Sequence, residues 1–116
     1  MKKLLLLSAF FSISFLSKAQ EGVRVDPLKD KMIVGEYSIV LLNSVDFTYG
    51  YDIRKGRQII LEQKDNPIFP MTKGLFTKQD AFNLAQWVII KIEETGKLPE
   101  SYPQSLYEEL KLTKKN

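Results

Sequence analysis

Asp52 and Glu62, distant in sequence but both expected on the polar face of a sheet, are an example of carboxylates that could assemble an acid–base site, and little surrounds them that could assist. The chain has neither histidine nor cysteine. That removes the commonest general base, the nucleophile–base triads and zinc sites of the Cys/His kind. The other acidic residues are scattered, and only Glu93-Glu94 and Glu108-Glu109 are adjacent. Neighbours on a helix point about 100° apart, so neither pair converges on a substrate. Gly50, Gly56 and Gly74 stand too far apart for a phosphate-cradling loop. The expectation is no catalytic residue, no metal ligand set and no cofactor. A carboxylate-dependent site assembled from Asp52 and Glu62 on one polar sheet face is the alternative.

Binding chemistry has more material. Trp87 and Ile90 fall on the polar side of a helical stripe, beside Asn83, Lys91 and Glu94, and a contiguous exposed apolar patch marks an interface. Tyr102, Leu106, Tyr107 and Leu110 offer the competing explanation, folding back to cover them. Ile68 and Phe69 sit between Pro67 and Pro70, which stiffen the loop and lower the entropy cost of presenting them. The competing reading there is an arm packed across the sheet edge or the helix start. Phe47, Tyr49 and Tyr51 form an aromatic stripe that suits sugar stacking, but the stronger reading makes it the core face of a hairpin.

These residues need elements to hold them. Thr77 caps a helix with Asp80 three residues on, and Gly96 followed by Pro99 ends it. Ala81, Phe82, Ala85, Val88, Ile89 and Ile92 fall on one face, the buried one. Met32 to Leu42, rich in β-branched and aromatic residues, reads as one strand with Gly35 as its point of interruption. Phe47 to Ile53 and Arg57 to Gln63 alternate and form a hairpin. A three-residue loop, Arg54-Lys55-Gly56, sets Tyr51 opposite Ile59 and Tyr49 opposite Leu61, leaving Ile60 on the polar face. Ser105 to Leu112 gives a short second helix, with Ser105 and Glu108 at capping-box spacing.

The first nineteen residues set the compartment. Lys2-Lys3, an apolar run from Leu4 to Leu16 and the small residues of Ser17-Lys18-Ala19 form a secretory signal cut between Ala19 and Gln20. The run spans about 20 Å as a helix against the roughly 30 Å of a bilayer core, so no membrane span is expected. Without cysteine there is no lipid anchor at the cut. The chain carries 17 basic and 14 acidic residues. Lys2, Lys3 and Lys18 belong to the leader, which leaves 14 of each in residues 20–116. A balanced domain offers nucleic acid no basic surface.

The order of "FTYGYDI", "KGRQIILEQ", "NPIFP", "GLFTKQDAFNLAQWVIIKI" and "GKLP" resembles the small exported Bacteroidetes-type proteins grouped as domain of unknown function 4907. The resemblance covers about Tyr37 to Leu110 and rests most on Gly50-Tyr51-Asp52-Ile53, the Pro loop and the helix entry at Phe76-Thr77. It implies a fold and an exported lifestyle but transfers no activity or catalytic residue.

The reading is therefore one α+β domain over residues 32–112. It follows a signal peptide (1–19) and a flexible lead-in (20–31), and a polar tail (113–116) ends the chain. An antiparallel three-stranded sheet, a meander with its hairpin, carries one long amphipathic helix on a face and a short C-terminal helix. The expected function is non-enzymatic binding in the periplasm or outside the cell, through Trp87, Ile90, Ile68 and Phe69. The partner would be an envelope protein or a second copy. The alternatives are an envelope enzyme and an accessory subunit of an envelope complex.

Overall fold

Two glycines set two tight turns of the sheet. In the computed structural model, which describes residues 23–26, 30–69 and 73–114, Gly35 and Gly56 both have positive φ, at 60° and 62°. Each is the first of two loop residues, the glycine-first arrangement that suits the right-handed twist of a tight hairpin. Gly35 therefore reverses the chain. The run expected as one strand is two, β2 (Lys31–Val34) and β3 (Tyr37–Asn43), paired from Val34 opposite Tyr37. Upstream, β1 (Val23–Asp26) lies antiparallel to β2, so the expected lead-in also contributes a strand. The leader, its cleavage point at Ala19 and Gln20, and the last two residues of the tail lie outside the described residues.

The sheet is thus an antiparallel meander in the order β1-β2-β3-β4-β5, with β4 at Tyr49–Lys55 and β5 at Gln58–Gln63. The expected three strands are corrected to four in the body of the sheet, β2 to β5, with β1 as a fifth along the edge. The β4–β5 register also differs from expectation. The loop is Gly56-Arg57, Lys55 pairs with Gln58, and a bulge between Ile53 and Arg54 leaves Ile60 without a partner. Tyr51 is therefore opposite Gln63, not Ile59. The bulge turns both Ile60 and Leu61 against the core and leaves Ile59 51% exposed.

The long helix forms as its end signals require. Thr77 accepts a hydrogen bond on its Oγ1 from the Asp80 amide (3.0 Å), and Gly96 closes α1 (Lys78–Thr95) in the left-handed conformation at φ 80°. Asp80 does not return the capping bond; its Oδ2 accepts from the Thr113 amide at 3.1 Å. Ala81, Ala85 and Val88 are fully buried where α1 crosses β3 and β4, over Ile39, Tyr51 and Ile53. Small residues let the helix axis approach a sheet lined with large side chains. The second helix is shorter than expected: α2 spans Leu106–Glu109, and Ser105 makes no capping bond but donates to Glu109 Oε2 at 3.2 Å. Lys111, with φ 55°, turns the chain out of helix.

At the start of β4 three stretches of backbone meet. Tyr49 exchanges both its amide and carbonyl bonds with Leu75, each 2.8 Å, on the side of β4 where β5 has ended. A Cβ on Gly50 would overlap the Gln63 carbonyl and lie 2.7 Å from the Lys64 Cα. One on Gly74 would overlap the Tyr49 carbonyl and lie 2.9 Å from the Lys64 oxygen. Overpacking against backbone costs about 1–3 kcal/mol and sometimes more. Gly50→Ala and Gly74→Ala should each lower the melting temperature by that equivalent. Ile59→Ser, at an exposed position, should stay within about 0.5 kcal/mol. Thermal unfolding of the three variants followed by circular dichroism checks the contrast.

Candidate binding surface

Each residue expected to bind has a definite place. Ile68 is 4% exposed and belongs to the core. The loop folds inward because buried Asn66 organises it: Oδ1 accepts from the Ile68 amide (2.9 Å), and Nδ2 donates to the Tyr107 hydroxyl at 2.6 Å. Phe69 is half-buried, its ring 5.0 Å from that of Tyr107. Pro70 and Met71 lie outside the described residues. At Ile68 and Phe69 the loop packs inward, with Asn66 and Phe69 on Tyr107 of the C-terminal segment.

Trp87 is half-buried between two neighbours. The Tyr102 ring lies 5.5 Å away at 47°, and Lys91 Nζ stands 5.6 Å from the indole. The segment from Tyr102 to Thr113 runs back along α1 and buries Leu106, Tyr107 and Leu112. Asn83 Nδ2 holds it at the Leu110 carbonyl (3.3 Å), and Asp80 at the Thr113 amide. Ile90 stays half-buried. The fold-back cover is real at Trp87, and what remains of the outer helix face is narrow.

The register sets Asp52 directly opposite Glu62, on the sheet face turned away from α1. Cross-strand partners have Cβ atoms about 4.5–5.5 Å apart, so the two carboxylates are neighbours. Asp52 is nonetheless 4% exposed, and its Oδ2 is held by Arg54 Nη2 at 3.1 Å. Its Oδ1 and the Arg54 Nε are buried without a partner. Among the described residues no group of acidic side chains is arranged to hold a metal ion, and no helix is long and apolar enough to cross a membrane.

Among the described residues the most exposed large hydrophobic side chain is one the alternation assigned to the core. Phe47 is 94% exposed and Val45 50%. Both sit in a single 3-10 turn, Val45–Phe47, between β3 and β4, and both Asp46 (φ 55°) and Phe47 (φ 61°) are left-handed. Extrapolating the Tyr49–Tyr51–Ile53 alternation back by two residues assumed extended backbone that the turn does not have. The turn is locked. The Ser44 amide donates to the Thr48 carbonyl (2.9 Å), and the Thr48 hydroxyl donates to the Val45 carbonyl (2.6 Å) while accepting from the Gly74 amide (2.8 Å). Asp46 pairs with Lys73 at 3.3 Å. No sequence signal pointed to this; only the Asn43-Ser44 turn start lay nearby.

A small α+β domain built as an antiparallel meander closed by one helix is the class these features define. Within it the chain belongs to the family of the domain of unknown function DUF4907, whose model matches residues 42–100, from the end of β3 through the tip, the crossing and α1. No curated protein and no solved structure matches the chain.

Three tyrosines give the domain its alkaline limit. The Tyr37 hydroxyl donates to Glu93 Oε2 at 2.6 Å, and that bond, with burial and the nearby Glu93 and Glu36 charges, pushes its pKa up to about 12. Burial pushes the Tyr51 phenol well up, reinforced by facing Tyr102, and burial also raises Tyr102. The unfolded chain releases such protons near pH 10, so above that pH it holds fewer protons than the native state and stability falls. The contribution is complete below about pH 10 and lost as pH rises through about 12. Tyr37→Phe should flatten this fall, measured as melting temperature against pH. Tyr102→Ala should bare Trp87 and raise its acrylamide quenching constant severalfold, with wild type only partly quenched.

Proposed function

We propose that this chain is an exported, non-enzymatic binding module of the cell envelope. The observation that supports this most directly is Phe47, an aromatic ring held in water by a hydrogen-bonded turn. Fully burying such a side chain is worth about 1.5–3 kcal/mol, and this fold leaves that free energy for a contact outside itself. The leader, with Lys2-Lys3, the Leu4–Leu16 run and the Ser17-Lys18-Ala19 cut site, supports export. The half-buried Trp87 and Ile90 supply a second, smaller apolar surface on α1.

The enzyme alternative has one observation in its favour, the register that sets Asp52 opposite Glu62. Against it stand the burial of Asp52 and its commitment to Arg54. Photo-crosslinking residues placed singly at positions 47, 59, 87 and 90 in intact cells test the binding reading. Discrete adducts are expected from 47 or from the 87/90 pair, unchanged by Asp52→Asn with Glu62→Gln. The absence of adducts from every position would remove it. Loss of a cellular phenotype in the double carboxylate variant, with adducts intact, would move the assignment to the enzyme.

A further inference from the structure

The Val45–Phe47 tip is exposed, held by hydrogen bonds and locally neutral. Its one charged pair, Asp46 with Lys73, is internally matched at 3.3 Å, so nothing at the tip selects a charged partner. Its backbone is fixed from both sides by the Thr48 hydroxyl, which ties the Val45 carbonyl to the Gly74 amide. Little ordering is then needed when the tip docks, which is how preorganised loops gain affinity. Two successive non-glycine residues in the left-handed region are strained, and strain of this kind gathers at contact sites.

Size decides what such a tip can hold on to. A single myristoyl chain, about a dozen methylene groups, gives only marginal attachment to a bilayer. Phe47 and a half-exposed Val45 present fewer apolar carbons than that, and the balanced charge adds no attraction to anionic headgroups. A phenylalanine buries about 150–250 Å², against about 800 Å² per partner in a stable protein interface. The tip is therefore too small to anchor the domain in lipid and too small to be a whole interface. It has the size and shape of one central anchor, an aromatic side chain seated in a desolvated pocket with weaker contacts around it.

Resting on the binding-module reading, we propose that Phe47 is that anchor and that its partner is a protein with an apolar socket. The contact is apolar, so it is insensitive to salt.

A photo-crosslinking residue at position 45, beside the ring, tests this in intact cells and in isolated envelopes. A protein adduct is expected, reduced at least about tenfold by Phe47→Ser and largely retained by Phe47→Tyr. In the envelopes its yield should be the same at low and high salt. Because the Phe47 side chain makes no core contact, Phe47→Ser should leave the melting temperature unchanged or raised, so a lost adduct is not a lost fold. An adduct that survives Phe47→Ser, an adduct to lipid, or co-sedimentation with phosphatidylcholine vesicles with or without phosphatidylglycerol would overturn the proposal. So would an adduct consisting only of a second copy of the chain. Adducts confined to positions 87 and 90 would overturn the tip as anchor while leaving the binding module standing; silence at every position would remove both.

Discussion

Where β4 begins there is no room for one carbon atom between three passing backbones, and the arrangement of the whole domain follows from that closeness. Gly50 lies under the turn out of β5, Gly74 lies against Tyr49, and Lys64 touches both. The pair of hydrogen bonds between Tyr49 and Leu75 then fixes where the chain is two residues before Thr77, the cap of α1. The helix is thereby launched from the sheet in one place, with Ala81 and Ala85 over the buried side of β4. The same crossing supplies the Gly74 amide that holds the Thr48 hydroxyl. The core and the exposed tip are set by one contact.

That contact also orients the edge of the sheet. Since Tyr49 turns its amide and carbonyl toward Leu75, alternation turns those of Tyr51, Ile53 and Lys55 toward β5. Their partners Gln63, Leu61 and Gln58 face inward, and Ile59 and Glu62 face out. In a regular strand outward groups recur every two residues; here the bulge at Ile60 separates them by three. A regular strand from another chain cannot match that spacing, so the bulge guards a free edge that has neither lysine nor proline within it. The bulge has a second effect, since it lets Ile60 and Leu61 both reach the core. The exposure of Ile59 is the cost of these two gains.

The helix was legible because its signals are local. Thr77, Gly96 and the 3.6-residue stripe each act within a turn or two, and each is seen in the structure. Leu84, outside the stripe read from the sequence, is fully buried, on the helix that also carries the Tyr102–Thr113 segment through Asp80, Asn83 and Trp87. The sheet was legible in kind but not in count. Gly35 was readable as an interruption, but Val34 and Tyr37 are both good strand residues, so composition did not distinguish an interruption from a two-residue reversal. The β4–β5 parity, odd opposite odd, was readable from the apolar pattern. The four-residue change of partner, Tyr51 opposite Gln63 and not Ile59, was not, because a displaced loop and a bulge change register without changing composition. Asp52 and Glu62 were found through the same parity. Phe47 was missed because alternation assumes extended backbone, and two left-handed residues in succession carry no mark that side-chain type could show.

The two ends of the domain treat large apolar groups differently, and the difference bears on what the tip is for. Along α1 the chain orders a dozen residues, at about 1–2 kcal/mol each in backbone entropy, and through them covers Trp87 with Tyr102. Burial of Leu106, Tyr107 and Leu112, with the bonds to Asp80, Asn83 and Asn66, works against that cost. At the tip no such cover is built, although the demand is smaller. Asparagine or glycine at position 47 would relieve a left-handed conformation that is unfavourable by about 1–2 kcal/mol for other residues, and would remove an exposed ring as well. Neither change would touch the core, since Phe47 contributes nothing to it. A fold that shields one aromatic residue with a whole segment has the means to dispense with another. The ring at position 47 therefore answers to something other than the stability of this chain, which is what the proposed anchor requires.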